Sequence, residues 1–158
     1  MIAFYLKNIM KIIGFLFLSG MFASMGYAKQ TNTPEELVLN FQNDYFKWNN
    51  YAYQLDSNNV NEQYLLIEKE WNKLLSIYTL PNFAGESIAY GSESSHDSNL
   101  ENITSIEIEG TTAKIRTQMI EKHISLVYEY HLICKEHRWY LTQVYYVDED
   151  SGELYSGL

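Results

Sequence analysis

The chain has 158 residues, with 20 acidic against 11 basic side chains, a net charge of −9 and one cysteine. A surplus of carboxylates repels phosphate backbones and anionic lipid surfaces, which argues against nucleic acid as a partner and favours basic proteins. A single thiol, Cys134, excludes an intramolecular disulfide in any redox compartment.

Residues 1–28 carry Lys7 and Lys11, then an apolar run over 12–18, then Gly26 and Ala28 ahead of Lys29. A positive start, a short apolar core and small residues at the end form a signal-peptide pattern. The expected address is therefore the periplasm, with no membrane attachment after cleavage. An uncleaved anchor is the alternative, but the apolar stretch is interrupted by glycine and serine and is short for a bilayer span. Cleavage removes two lysines and no acid, leaving 130 residues with nine basic and twenty acidic side chains and a net charge of −11. That length suits one domain, 29–158, and is too short for two.

Thr33-Pro34-Glu35-Glu36 reads as a helix start, with Thr33 as cap, Pro34 at the first helical position and Glu36 completing a capping box. Leu37, Phe41, Tyr45, Trp48, Ala52 and Leu55 then recur at spacings of three and four. Asp56-Ser57-Asn58-Asn59 breaks the pattern. A second stripe follows with Val60, Tyr64, Ile67, Trp71, Leu74, Leu75 and Tyr78. Two stripes this close predict an antiparallel helix pair over a shared surface. Residues 87–90 are a candidate short strand, and 91–102 a polar loop.

Beyond the loop the period becomes two. Thr104, Ile106 and Ile108 form one face, and Glu109-Gly110-Thr111 a hairpin turn. Ala113, Ile115, Thr117 and Met119 share the inward face of the next strand. Leu126, Tyr128, Tyr130, Leu132 and Cys134 share that of the third, with Cys134 read as an inert core thiol. A turn at Glu136-His137 leads to Trp139, Leu141, Gln143, Tyr145 and Val147, and Asp150-Ser151-Gly152 turns the chain again. Helices first and neighbouring strands after predict an α+β domain: an antiparallel sheet packed on N-terminal helices.

Reactive constellations are thin. His96-Asp97 with Glu101 nearby is the best, since imidazole and carboxylates together can bind metal or move protons. The plainer reading has Asp97 and Asn99 making turns, Glu101 in solvent and His96 packing locally. Asp148, Glu149, Asp150 and Glu153 make a dense acidic turn without the ligand spacing of a calcium loop. It serves as a solvated hairpin tip or as a surface for a basic partner. No phosphate loop, nucleophile elbow or zinc pattern is present, and neither a metal nor a cofactor is expected. Twelve of the fourteen tyrosines lie beyond residue 28, and most are expected in the core.

Several segments together carry a resemblance: Tyr90-Gly91, His96-Asp97 leading to Glu101 and Ile103, Ala113-Lys114-Ile115-Arg116-Thr117, Tyr128-Glu129-Tyr130-His131-Leu132, Arg138-Trp139-Tyr140-Leu141, and Tyr146 through Gly152. Over residues 33–158 the chain resembles the nuclear-transport-factor-2-like fold, a cone made by a curved sheet around helices. Its second half is similar to the immunity-protein family of that fold, which protects bacteria from polymorphic toxins. The resemblance implies a non-enzymatic inhibitor of a cognate toxin with a basic surface. It implies no catalytic residue, and a homodimer through the open sheet face is compatible with it. Many members of that family look cytoplasmic, so an export signal implies a toxin that acts in the periplasm. The candidate partner-binding residues are then His96, Asp97, Glu101, Asp148, Glu149, Asp150 and Glu153. Two other readings stand beside it: a small-ligand carrier, and an isomerase- or dehydratase-like enzyme using Asp44, Tyr64 and Tyr130, with Asp44 expected to face water.

Overall fold

The computed structural model describes residues 33–55, 59–86, 88–121 and 124–158. The segment 1–28, expected to be a signal peptide, the interhelical break at Asp56-Ser57-Asn58, Ser87 and His123 lie outside the described residues.

Helix α1 spans Pro34–Gln54 and α2 spans Val60–Tyr78. The Thr33 hydroxyl accepts from the Glu36 amide at 3.2 Å, and Asn59 accepts from the amides of Asn61 and Glu62. Each cap satisfies amides that the first turn leaves unpaired. Strands β1 (Glu101–Glu109), β2 (Thr112–Glu121), β3 (Ile124–Lys135), β4 (Arg138–Val147) and β5 (Leu154–Ser156) form one antiparallel sheet in sequential order. The expected meander is present, with β5 added at its edge. Residues 88–90 form no strand.

The turns follow from backbone chemistry. Gly110, at φ +60°, occupies the two-residue hairpin between β1 and β2. The β3–β4 hairpin places Glu136 and His137 at φ +51° and +62°, a turn geometry in which neither side chain is favoured.

Helix α1 packs against β1, β2 and β4, whereas α2 packs chiefly against α1. The core comprises Leu37, Val38, Phe41, Trp48, Ile67 and Leu74 from the helices, with Ile115, Tyr130, Leu141 and Val144 from the sheet. Complete burial of side chains this large stabilises by about 1.5–3 kcal/mol each. Cys134 is free and half-buried against the core. The α2 stripe departs from expectation at its start: Val60 is 77 % exposed and Tyr64 52 %. These first turns lie beside the end of α1, where burial stops at Ala52 and Gln63 reaches the Leu55 carbonyl.

Two irregularities change which residues face inward. The β1–β2 register passes from Ile103–Thr117 to Ser105–Arg116, leaving Thr104 as a bulge whose hydroxyl donates to the Arg116 carbonyl at 3.2 Å. The β3–β4 register likewise skips Thr142, whose hydroxyl donates to the His131 carbonyl at 3.1 Å. A bulge inserts one residue and reverses the alternation beyond it. On β4, Leu141 and then Val144 are therefore buried, while Tyr145 leaves the core face and lies over His131, with ring centres 4.9 Å apart. The expected inward position of Tyr145 is corrected accordingly. On β1, Ile106 and Ile108 do oppose Ile115 and Ala113, but they lie on an edge strand and remain 40 % and 52 % exposed.

Candidate functional site

The loop 91–100 crosses the end of the sheet between α1 and β1 and is fastened at both ends. At its start Asn49 on α1 donates to the Gly91 carbonyl at 2.9 Å and accepts from the Gly91 amide at 3.1 Å. This pairing mimics a strand contact with a side-chain amide. At its end Asp97 accepts from the Asn99 amide at 2.8 Å and Ser94 donates to the His96 carbonyl at 2.7 Å. The Asp97–Asn99 turn is the one the sequence predicts.

Beneath the loop lies a closed polar cluster. Glu101 is 1 % exposed and His96 3 %, so the expectation that Glu101 is solvated is overturned. The Thr104 bulge is the physical reason: straight alternation from Ile106 and Ile108 would turn Glu101 outward, and the extra residue turns it in. One Glu101 oxygen accepts from the Thr117 hydroxyl at 2.5 Å and the Tyr130 hydroxyl at 2.6 Å. The other lies 3.1 Å from His96 Nδ1. Tyr130 Oη is also 2.9 Å from that nitrogen. Tyrosine has one proton, and it is committed to the carboxylate. Nδ1 must then carry hydrogen, shared between Glu101 and Tyr130.

The electrostatics agree with a carboxylate held charged. Burial pushes the Glu101 pKa up, but the His96 charge and hydrogen bonds from His96, Thr117 and Tyr130 outweigh it, so the net shift is downward. Tyr130 moves well above the ordinary phenol value through burial first and the Glu101 charge second, and stays a donor. Tyr45 and Tyr128 are raised chiefly by burial. His96 sits among the rings of Tyr128, Tyr45, Tyr130 and Phe41, with centres 4.5, 4.8, 5.7 and 5.8 Å away. Among the described residues both amide atoms of the fully buried Gln42 lack a partner within hydrogen-bond geometry, although that residue adjoins Tyr130.

The acidic turn is built differently. The Asp148 carboxylate accepts from the amides of Asp150 at 2.9 Å and Ser151 at 3.3 Å, while Gly152, at φ +74°, closes the loop. Those backbone bonds, Ser151 first, hold the Asp148 pKa below its usual range. Glu153 accepts from the Tyr155 hydroxyl at 2.7 Å. Glu149 and Asp150 are exposed.

A row of tyrosines joins the two regions. Ring centres run from His96 to Tyr128 at 4.5 Å, from Tyr128 to Tyr146 at 6.3 Å and from Tyr146 to Tyr155 at 6.3 Å. Tyr146 and Tyr155 are 38 % and 49 % exposed, so the row surfaces beside the acidic turn. Of the seven candidate residues, Asp97, Glu149, Asp150 and Glu153 reach the surface, whereas His96 and Glu101 shape the loop from below and Asp148 shapes the turn. Thr117 was not foreseen as part of the cluster. Its signal was a hydroxyl at an inward strand position, which needs a buried partner.

The residues considered for an enzyme do not converge. Asp44 is buried rather than facing water, accepting from Tyr78 Oη at 2.6 Å and Lys47 Nζ at 2.9 Å. Tyr64 stands on the outer face of α2, and Tyr130 is committed to Glu101. On the outer sheet face Glu129 pairs with Arg116 at 2.7 Å and His131 at 2.6 Å, and is itself buried. Among the described residues no group of three or more His, Cys, Asp or Glu is arranged to hold a metal, and no helix is long and apolar enough to cross a membrane. No family model matches the chain, and no curated protein or solved structure matches it either.

Proposed function

We propose that this chain is an exported antidote: a periplasmic immunity protein with a cone of the nuclear-transport-factor-2-like type that binds a cognate antibacterial toxin and blocks it by occlusion. The observation that carries the reading is the exposed tyrosine row, Tyr146 and Tyr155, set between the fastened loop at Asp97 and the acids Glu149, Asp150 and Glu153. Tyrosine supplies large, stiff contact area of the kind that concentrates binding energy at protein interfaces. Surrounding carboxylates steer and orient a basic partner. The −11 charge of the exported part, the signal pattern and the family resemblance point the same way. An α+β fold with one open antiparallel sheet over helices is compatible with the cone.

The test is capture followed by kinetics. The protein is immobilised and exposed to envelope and secreted fractions of the parent strain. The expected result is one stoichiometric partner that kills from the periplasm only when this chain is absent. Charge reversal E149K/D150K, which spares the turn-forming Asp148, should slow association about tenfold at low salt and leave dissociation nearly unchanged. An unchanged association rate and salt response would remove the turn from the interface. The absence of any protein partner would replace the antidote reading with the small-ligand one.

A further inference from the structure

A cleft of about 340 Å³ opens where α2 ends and β4 begins, at the opposite end of β4 from the acidic turn. Its apolar wall includes Leu80, Phe83 and Tyr140, and Asn72 and Ser76 stand among its polar residues. Arg138 lines it too, and no acidic residue does.

Only part of that guanidinium is used by the fold. Nη2 donates to the Ile77 carbonyl at 2.7 Å, supplying a cation to a helix end with no basic residue in its last turn. The guanidinium carbon lies 4.6 Å from the centre of the Tyr140 ring, which fixes the plane. Among the described residues Nε is buried without an acceptor and no carboxylate lies within ion-pair distance of Arg138. A helix-capping role accounts for Nη2 alone. Nη1, which is not sealed from solvent and makes no hydrogen bond among the described residues, is the guanidinium donor left for a carboxylate in the cleft.

We infer that this cleft binds a small organic carboxylate with an apolar body, the carboxylate on Arg138 and the body against Leu80, Phe83 and Tyr140. The volume falls at the lower end of small-molecule sites, which suits an anion of about one ring. Asn72 and Ser76 offer neutral polar contacts at the cleft that do not compete for the cation. A free metabolite and the terminal carboxylate of a peptide share this chemistry. The site lies apart from the proposed toxin-facing surface, and its fate does not depend on that reading.

The experiment is an NMR titration of the protein with phenylacetate, with its neutral twin phenylacetamide, and with a short peptide ending in phenylalanine as free acid or amide. Phenylacetate should shift the Arg138 Nε–H and Tyr140 signals saturably, with a Kd of about 1 mM or tighter. Phenylacetamide should bind at least about tenfold more weakly, the loss of one charge-assisted contact. R138Q should cost the acid about tenfold and the amide little. S76W, which fills the cleft while keeping Arg138, should abolish binding with an unchanged circular dichroism spectrum. Tighter binding of the peptide acid than of phenylacetate assigns the site to chain termini, and the reverse assigns it to free anions. Equal binding of acid and amide, shifts confined to other surfaces, or no shift by roughly 10 mM phenylacetate overturns the inference. If R138Q fails to fold, the acid–amide comparison and S76W still decide it.

Discussion

Replacing Glu101 tests the clasp beneath the loop most directly. Three donors converge on its carboxylate: Thr117 at 2.5 Å, Tyr130 at 2.6 Å and His96 at 3.1 Å. A hydrogen bond to a charged group contributes about 1.5–3 kcal/mol, so Y130F and T117V should each cost about 2 kcal/mol. E101L strands all three donors in a site that water does not reach. Breaking a buried charged network in this way costs about 3–5 kcal/mol, less than the sum of its bonds because the site relaxes. For a domain of this size that lowers Tm by about 10–20 °C. E101Q keeps the shape and one carbonyl oxygen but sets an amide against the Nδ1 hydrogen, so it should fall between, near 1–2 kcal/mol. The assay is urea and thermal unfolding by circular dichroism, with hydrogen exchange read over residues 91–100. The acid limb gives an independent sign. A pKa lowered by folding stabilises above its ordinary value of 4.5 and loses that contribution as pH falls through the folded value. Wild type should therefore lose this contribution below about pH 4.5, and E101Q should lack it. An E101L variant within about 1 kcal/mol of wild type, or one whose loop exchanges no faster, would refute the clasp.

Deleting Thr104 should keep most of the clasp, because Ile103–Thr117 and Ser105–Arg116 become consecutive pairs and Glu101 still opposes the inward Met119; a Tm loss as large as that of E101L would show that the bulge itself, and not the register, orients the carboxylate. H137G should stabilise by about 0.5–1 kcal/mol in urea unfolding by relieving a side chain at φ +62°, and a destabilised variant would contradict the turn geometry. D148A should move the Asp150 and Ser151 amide resonances towards random-coil positions. Acidifying the wild type below the usual aspartate value of 3.8 should do the same, because the lowered pKa reports those bonds, and unmoved resonances would detach the carboxylate from the turn.

The legible part of this protein was whatever the chain decides locally. Thr33 before Pro34 starts a helix because the hydroxyl and the fixed φ satisfy the first turn wherever it sits. Gly110 and Gly152 mark turns because their backbone angles are open to glycine. The change of period from helix to strand near residue 101 separates helices from sheet, and neighbouring strands then pair in order. Proximity of His96 to Glu101 was readable too, as was the inward row of Tyr128 and Tyr130.

What only the tertiary structure decided is which polar groups go inside. Glu101 is buried because Thr104 adds a residue to β1, and Tyr145 faces outward because Thr142 does the same on β4. Strict alternation carries no mark of a bulge, since an inserted threonine has the same strand preference as its neighbours. Asp44 and Glu129 are buried because Tyr78, Lys47, Arg116 and His131 arrive from other positions to meet them. Val60 and Tyr64 stay exposed because, among the described residues, no segment closes over them. Period and cap are properties of a segment, set by its own backbone and nearest side chains. Burial of a charge is a property of the partners that distant segments bring, and one residue's shift in register changes them all.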